Sequence, residues 1–279
     1  MPRSKGRRNK KNFQKNNKKV KPNVPTKRKA DPIVLGEHVF PIYSLRENGK
    51  DLIPIDIHGA CFAIGNNYFI TALHVLNYAK GTAATKIGFF SQVSNGCVNM
   101  CDYEIIEEFP ESDIAIIKSD EMYAHDKKPK HFKWSGRELL IFDEIRAMGY
   151  PHGYDGFKGV SIGRGFSGTV LCNNKYERGE LNLNCYELSF QSPKGLSGGC
   201  LLDKNYKVYG VMFGNSEKAM HVFEDETIIE VEGVKTKRIE TKNETTFIGM
   251  AVSNLHIFKL HSEKLGKTIH DHLKEYDLH

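Results

Sequence analysis

Residues 193–202 read Pro-Lys-Gly-Leu-Ser-Gly-Gly-Cys-Leu-Leu, with glycines on both sides of Ser197 and an apolar run directly after them. Glycines at such positions allow a tight loop whose backbone N–H groups converge on one point. In this loop the amides of Gly195 and Ser197 would donate together to a developing oxyanion, as acyl transfer requires. The stretch therefore indicates a serine nucleophile just before a short buried strand, Cys200-Leu-Leu202.

A second glycine-flanked serine competes for this assignment. Gly165-Phe-Ser167-Gly168 repeats the Gly-x-Ser-Gly pattern but lacks the second glycine that follows Ser197 as Gly199. That second glycine lets the following strand approach the loop closely. We therefore favour Ser197 as the nucleophile and keep Ser167 as the alternative.

Two other residues have side chains that suit catalysis. His74 and Asp113 both lie next to apolar runs. His74 closely follows Tyr68-Phe-Ile-Thr71, and Asp113 stands immediately before Ile114-Ala-Ile-Ile117. Imidazole has the one unperturbed side-chain pKa near neutrality, which suits a general base. A carboxylate at the start of a buried strand is partly desolvated. This is unfavourable unless a hydrogen-bond donor such as an imidazole N–H pairs with it. Taken singly, each residue is also consistent with a structural role.

The chain order His74, Asp113, Ser197 is more informative than any one of these residues. Serine is a poor nucleophile at its own pKa and needs an adjacent base, which a third group must orient. An imidazole, a partly buried carboxylate and a glycine-flanked hydroxyl meet that requirement. The three residues are therefore predicted to form a catalytic triad.

The rest of the chain from Val34 onward is dominated by short β-type runs broken by Gly, Asn and Asp. Many short strands at roughly regular spacing indicate an all-β barrel or sandwich. Asn66-Asn67 and Asp203-Lys-Asn205 stand where hairpin turns belong, and residues 227–234 are predicted to form a projecting hairpin. Near the end, an N-cap at Ser253-Asn254 and apolar residues at near-helical spacing predict one helix over 254–276.

These segments together resemble the trypsin-like serine protease superfamily. Thr71-Ala-Leu-His74 is similar to its Thr-Ala-x-His box, and Gly195-Leu-Ser197-Gly-Gly to its Gly-Asp-Ser-Gly-Gly loop. Asp113-Ile-Ala resembles the corresponding segment of bacterial heat-shock-type and several viral members. The resemblance spans about residues 36–260, which is nearly all of the chain outside the N-terminal tail.

The resemblance implies an all-β fold of two antiparallel β-barrels of the chymotrypsin-like type, with the triad in the crevice between them. His74 and Asp113 would come from the first barrel and Ser197 from the second. The corresponding organisation is a disordered basic tail over 1–32, a first barrel over 33–130, a second barrel over 131–253 and a C-terminal helix over 254–279.

The resemblance also implies where the residue preceding the scissile bond is recognised. Gln191 would lie near the base of the primary specificity pocket, and Phe213, Gly214 and Asn215 would line its wall. Without a carboxylate at the base, a preference for Lys or Arg is not expected. Leu196 takes the place of the family's usual Asp, which fits an enzyme that folds active without zymogen cleavage. No cofactor or metal is expected, since the Cys97–Cys101 spacing has no matching second pair.

The charge of the chain is unevenly distributed. Residues 1–30 contain thirteen of the 40 Lys and Arg residues and no Asp or Glu, and this composition predicts disorder. The remaining 27 basic residues stand against 34 acidic ones, which gives the rest of the chain a net charge of −7. A basic arm on an acidic domain suits phosphate neutralisation, so we expect RNA or another polyanion as a partner of residues 1–30.

Several function classes remain open at this level. The leading hypothesis is a serine endopeptidase acting on polypeptides, with processing of a viral polyprotein as one such role. The alternative is an RNA-binding, capsid-like or interaction protein on a protease scaffold, because a basic arm before such a domain resembles alphavirus capsid proteins. No apolar run reaches 18 residues, and no apolar signal-peptide stretch follows the N-terminal charges. We therefore expect an intracellular, cytoplasmic protein without membrane contact, with Pro25-Thr-Lys-Arg-Lys29 as a candidate nuclear-import patch.

Overall fold

The computed structural model of the chain describes residues 35–49, 51–79, 84–90, 98–124, 128–152, 154–155, 160–231 and 234–279. The predictions for the tail over 1–32, and those involving Cys97, fall outside these residues.

The first half of the described chain forms one seven-stranded antiparallel sheet with the strand order β5-β4-β1-β2-β3-β7-β6. This sheet curves around its own apolar core into a barrel-like arrangement. Its strands are β1 (Val39–Asn48), β2 (Asp51–Gly65), β3 (Tyr68–Ala72), β4 (Ala84–Phe90), β5 (Val98–Cys101), β6 (Glu104–Phe109) and β7 (Ile114–Lys118). Short helical segments accompany it: α1 (Leu35–His38), α2 (Leu73–Ala79), a 3₁₀ turn (Pro110–Ser112) and α3 (Glu121–Ala124).

The second half closes into a six-stranded antiparallel barrel with the order β11-β12-β15-β14-β13-β8. Its strands are β8 (Glu144–Gly149), β11 (Arg164–Arg178), β12 (Leu181–Leu188), β13 (Cys200–Asp203), β14 (Val208–Val231) and β15 (Val234–Ser253), and a separate small ladder pairs β9 (Tyr154–Asp155) with β10 (Val160–Ser161). The predicted all-β, chymotrypsin-like fold of two antiparallel sheets is confirmed.

Strand β7 shows why its sequence is an unbroken apolar run rather than an alternating one. Ala115 and Ile117 face the core of the first sheet, whereas Ile114 and Ile116 face a second cluster that also contains residues of the second barrel. Because both faces of the strand are buried from Ile114 to Ile117, no position in this run favours a polar side chain. The same burial on two sides holds the two sheets against each other and forms the crevice between them.

The turns predicted from the sequence are present. Asn66 adopts a φ of 43° in the turn between β2 and β3, a left-handed conformation that Asn tolerates better than most residues. Asp203-Lys-Asn205 begins the turn from β13 to β14, where Asp203 Oδ1 accepts hydrogen bonds from the N–H groups of Asn205 (2.8 Å) and Lys207 (2.9 Å). The predicted hairpin over 227–234 also forms, as the end of the long β14–β15 ladder that closes at Val231 and Val234.

A C-terminal helix is present, but the prediction of one continuous helix over 254–276 is wrong in extent. The segment contains α4 (Asn254–Ile257), a small hairpin of β16 (His261–Ser262) and β17 (Lys267–Thr268), and α5 (Ile269–Glu275). Separate caps start the two helices: Ser253 Oγ accepts from the His256 N–H, and Thr268 Oγ1 accepts from the Asp271 N–H. Gly266, with a φ of 66°, turns the hairpin between them and cannot belong to a helix.

This C-terminal segment returns to the first sheet. Ile269 and Leu273 of α5 are fully buried in the cluster between the sheets, and the ring of Tyr276 lies directly over Gly65. Glu107 Oε2 accepts hydrogen bonds from Ser262 Oγ and from the Lys264 N–H, both at 3.1 Å. Within the described ranges no helix has the length and apolar character needed to cross a membrane.

Candidate active site

The loop that carries Ser197 is wedged between the two sheets. The carbonyl of Ser197 accepts a hydrogen bond from the Ala60 N–H of β2 at 2.8 Å, and the N–H of Gly198 donates to the Met212 carbonyl of β14 at 2.7 Å. Ser197 is 7% exposed. One side of the loop is therefore fixed to the first sheet and the other to the second barrel.

Two glycines of this loop are required by its geometry. Gly195 and Gly198 have φ values of 96° and 79°, a region that residues with a Cβ rarely adopt. A Cβ on Gly195 would lie 2.4 Å from the carbonyl oxygen of Tyr150, and one on Gly198 would lie 2.0 Å from that of Ala60. The glycine pattern seen in the sequence thus reflects close approach to backbone on both sides of Ser197.

His74 is held by Asp113 through two contacts. The imidazole Nδ1 lies 2.7 Å from Asp113 Oδ2, and the backbone N–H of His74 donates to Asp113 Oδ1 at 2.8 Å. A carboxylate oxygen only accepts, so Nδ1 is the protonated ring nitrogen in the neutral imidazole and Nε2 is left as an acceptor. The arrangement fixes both the tautomer and the orientation of the ring.

Asp113 reaches His74 from a strained position. It follows the 3₁₀ turn with a φ of 50° and a ψ of 38°, which is left-handed. Its N–H donates to the Pro110 carbonyl at 3.3 Å, and its own carbonyl accepts from the Leu73 N–H at 2.9 Å. The side chain is only 10% exposed. The turn, rather than β7 itself, therefore aims the carboxylate at α2, on which His74 lies.

His74, Asp113 and Ser197 all line one cleft of about 820 Å³ between the sheets. Among the described residues no hydrogen bond joins Ser197 to the His74 ring; what they share is the cleft. Ser167, the alternative nucleophile, is exposed on β11 opposite Arg146 and does not line this cleft. The structure therefore brings the three predicted residues together and leaves Ser167 apart.

Two backbone N–H groups of the loop have no hydrogen-bond partner among the described residues. The neighbouring amides have partners: the Leu196 N–H donates to the Pro193 carbonyl at 3.0 Å, and the Gly199 N–H to the Leu196 carbonyl at 3.0 Å. Within the described chain, the N–H groups of Gly195 and Ser197 donate to no protein group. These two are the amides that the sequence pattern predicts for an oxyanion site.

The predicted specificity residues divide into two groups. Phe213, Gly214 and Asn215 line the cleft. Gln191 is exposed and is not among the residues that line this cleft. Its expected place near the base of the primary specificity pocket stays a prediction.

Comparison with solved structures shows what this architecture is similar to. The Rv3671c protease from M. tuberculosis, in its active form, superposes with a TM-score of 0.51 at 15% identity, over 80% of this chain and 78% of that one. The MamO protease domain from Magnetospirillum magneticum gives a TM-score of 0.51 at 13% identity, over 79% and 94% of the two chains. The chain has the trypsin-like protease fold. At the level of sequence, no family model and no curated protein matches it.

Three residues close to the triad in sequence occupy apolar surroundings. Leu196, which was noted above in the place of the Asp expected from the resemblance, is fully buried in the core of the second barrel. Cys200 is fully buried between the sheets, and Val75 packs against Gly59 in the first sheet. The Leu at position 196 is therefore matched by apolar packing.

Sequence reasoning missed other residues of the cleft. His58 on β2 lines it, and neither ring nitrogen has a hydrogen-bond partner among the described residues. Burial lowers the pKa of His58, an effect that Asp56 opposes and Lys194 reinforces. Tyr78 lies four residues after His74 on α2, with the two ring centroids 6.2 Å apart and edge to face. The i, i+4 spacing on a helix was the signal that could have identified Tyr78.

A further bridge holds the turn before Asp113 against the second barrel. The Nε2 of His256, on α4, lies 2.8 Å from Ser112 Oγ, and its Nδ1 accepts from the Asn184 N–H at 3.4 Å. Both contacts suit a neutral ring that donates from Nε2 and accepts at Nδ1. Burial, and next the charge of Lys259, lower the pKa of His256.

This bridge predicts a pH-dependent loss of stability. Because the folded protein lowers the pKa of His256 below its ordinary value of 6.5, the neutral ring stabilises the fold fully above about pH 6.5. That contribution is lost as the pH falls through the lowered pKa, since protonated Nδ1 no longer accepts from Asn184. Urea unfolding between about pH 8 and pH 5 should show that the free energy of unfolding falls more steeply with decreasing pH for wild type than for His256→Gln.

Equal slopes of the unfolding free energy against pH in the two proteins would contradict the bridge, because the other buried histidines contribute equally to both.

Proposed function

We propose that the chain is a serine endopeptidase in which Ser197 is the nucleophile, His74 the general base and Asp113 the residue that orients the base. The observation that supports this most is the Asp113–His74 hydrogen bond of 2.7 Å, made at the wall of the cleft that Ser197 also lines. A buried carboxylate that fixes the imidazole tautomer leaves Nε2 able to take a proton.

The reaction would proceed in two displacements. Ser197 Oγ attacks the carbonyl carbon of the scissile peptide bond while its proton passes to His74 Nε2. The oxyanion accepts hydrogen bonds from the N–H groups of Gly195 and Ser197, and the C–N bond breaks as Nε2 protonates the leaving amine. Water then attacks the acyl-enzyme with His74 again as base, which releases the acid and restores Ser197.

The lack of a hydrogen bond between Ser197 and the His74 ring among the described residues is compatible with this role. Nucleophile–base hydrogen bonds are often long in unliganded enzymes and tighten in the substrate complex. The carboxylate–imidazole contact and the unused amides of Gly195 and Ser197 are the parts that must be organised beforehand. Both support the proposed roles of these residues.

An activity-based probe tests this proposal. We expect a fluorophosphonate to label wild-type protein at Ser197 and to label neither Ser197→Ala nor His74→Ala, because the serine is reactive only with its base. Ser167→Ala is the matched control and should label like wild type. Labelling can be read by intact-mass spectrometry and mapped by peptide sequencing.

Absence of labelling in folded wild-type protein would contradict the endopeptidase proposal. That result would favour the other reading, a binding protein that keeps a protease scaffold. If labelling is lost in Ser167→Ala, the nucleophile is Ser167 and the assignment of Ser197 is refuted.

The orienting role of Asp113 has a separate test. Asp113→Asn keeps an oxygen that can accept from the His74 N–H, so the protein should still fold, while its amide favours the wrong imidazole tautomer. We expect kcat on a cleavable peptide to fall by roughly 10⁴-fold, with little change in KM. A change of less than about tenfold would show that Asp113 does not orient a catalytic base.

We also propose that the basic arm, residues 1–30, binds a polyanion such as single-stranded RNA. Its thirteen positive charges and lack of acidic residues support this role. Replacing the six lysines between residues 10 and 21 with glutamine in the full chain should flatten the dependence of RNA affinity on salt. The slope of log K against the logarithm of salt concentration should drop by about 0.7 for each phosphate that the arm no longer neutralises. Lys204→Gln with Lys259→Gln is the control, and an unchanged slope in the arm variant would contradict the proposal.

A further inference from the structure

A histidine of the C-terminal segment contacts the turn that leads into Asp113. The Nε2 of His256, on α4, lies 2.8 Å from Ser112 Oγ, and its Nδ1 accepts from the Asn184 N–H at 3.4 Å. A backbone N–H only donates, so the proton of the neutral ring is on Nε2 and is donated to Ser112. Ser112 is 3% exposed and directly precedes Asp113. The contact therefore acts one residue away from the carboxylate that binds His74.

The turn itself is only weakly closed by its own backbone. Its hydrogen bond from the Asp113 N–H to the Pro110 carbonyl is long, at 3.3 Å. Asp113 also has a φ of 50°, which is unfavourable for a residue with a Cβ. Relaxation of this residue toward the right-handed region would turn its carboxylate away from His74. A hydrogen bond to Ser112 from outside the turn opposes that relaxation.

Helix α4 gives His256 a firmly anchored base. The side chain of Asn254, the first residue of α4, is fully buried. Its Nδ2 donates to the carbonyls of Ser135 and Arg137 at 2.5 and 3.0 Å, and its Oδ1 accepts from the Tyr186 hydroxyl at 3.0 Å. Both N–H bonds and the oxygen of this amide are engaged. The position of the His256 ring is therefore set by the second barrel and the segment that leads into it.

The same part of the second barrel also holds the Ser197 loop. Helix α4 directly follows β15, in which Ala251 pairs with Met212 of β14. The Met212 carbonyl in turn accepts from the Gly198 N–H of the loop at 2.7 Å. The hydrogen bond from His256 thus connects the turn before the carboxylate to the strands that fix the nucleophile.

We propose that His256 is a positioning residue, which keeps the Asp113 carboxylate in place through its hydrogen bond to Ser112. This proposal rests on the proposed endopeptidase function. Two hydrogen bonds then link the barrels at the triad. The bond from Ala60 to Ser197 fixes the nucleophile loop to the first sheet, and the bond from His256 to Ser112 fixes the turn of the first sheet to the second barrel.

The test measures kcat and KM on a cleavable peptide, with active sites counted by fluorophosphonate labelling of Ser197 to completion. Counting labelled sites removes the contribution of unfolded protein. In His256→Phe we expect kcat per labelled site to fall by about 10- to 100-fold, with KM within about twofold of wild type. Ser112→Ala removes the same hydrogen bond from the other side and should give a fall of similar size. It also serves as the second variant if His256→Phe folds poorly.

A conservative replacement and a matched control separate this role from a general loss of stability. His256→Gln should restore kcat to within about threefold of wild type, because its amide N–H can donate to Ser112. His270→Phe makes the same change in the same segment, where the ring stacks on Phe258 and its Nε2 has no hydrogen-bond partner among the described residues. It should keep the wild-type kcat. The double variant of His256→Phe and Ser112→Ala should lose no more than the worse single variant, because both changes remove one hydrogen bond.

Four results would overturn the role of His256 while leaving the endopeptidase function in place. They are a wild-type kcat in both His256→Phe and Ser112→Ala, equal falls in His256→Gln and His256→Phe, an equal fall in His270→Phe, and losses that multiply in the double variant. Failure of the function itself has a different signature. Wild-type protein would then neither label at Ser197 nor cleave any peptide, and both proposals would fall together.

Discussion

The site depends first on one backbone hydrogen bond, from the Ala60 N–H to the Ser197 carbonyl. It links β2 of the first sheet to a loop of the second barrel, and Gly198 packs its Cα against the Ala60 carbonyl beside it. His74 follows β3, which pairs directly with β2, so the position of Ser197 relative to the imidazole is set through two adjacent strands. A side chain at Gly198 would force the sheets apart. The glycines of the loop are therefore needed for residues of the two barrels to meet in one cleft.

The hydrogen bonds of the Asp113 carboxylate must outweigh the free-energy cost of its left-handed backbone conformation. A left-handed conformation at a residue other than glycine costs roughly 1–2 kcal/mol. Hydrogen bonds to an ionised group contribute about 1.5–3 kcal/mol each, and this carboxylate accepts two, from the ring and the backbone N–H of His74. The balance favours the strained turn. Strain that persists because neighbouring groups determine the geometry is typical of functional sites.

Local patterns predicted an all-β fold and singled out His74 and Asp113, which line the cleft with Ser197, because each of the three lies close to the end of a strand or inside a glycine loop. Other features depend on packing that no local pattern records. Leu265 and Ile269 have the spacing of one helix, yet their burial is achieved by a hairpin between two short helices. His58 is part of the cleft only because β2 passes beneath the Ser197 loop.

The lining of the cleft indicates where a substrate would gain binding energy away from the scissile bond. In an endopeptidase, contacts remote from the scissile bond contribute to catalysis when they are strengthened in the transition state. The cleft extends toward the β11–β12 hairpin, where Tyr176 and Leu181 line it together with Met250 of β15. Tyr176 packs edge to face on Phe213, with ring centroids 5.7 Å apart, so this apolar wall is continuous with the strand that carries Asn215. Apolar burial is worth about 25 cal/mol per Å², so an extended substrate that covers this wall would gain binding energy there. Part of the selectivity would then come from apolar contacts several residues away from the bond that is cut.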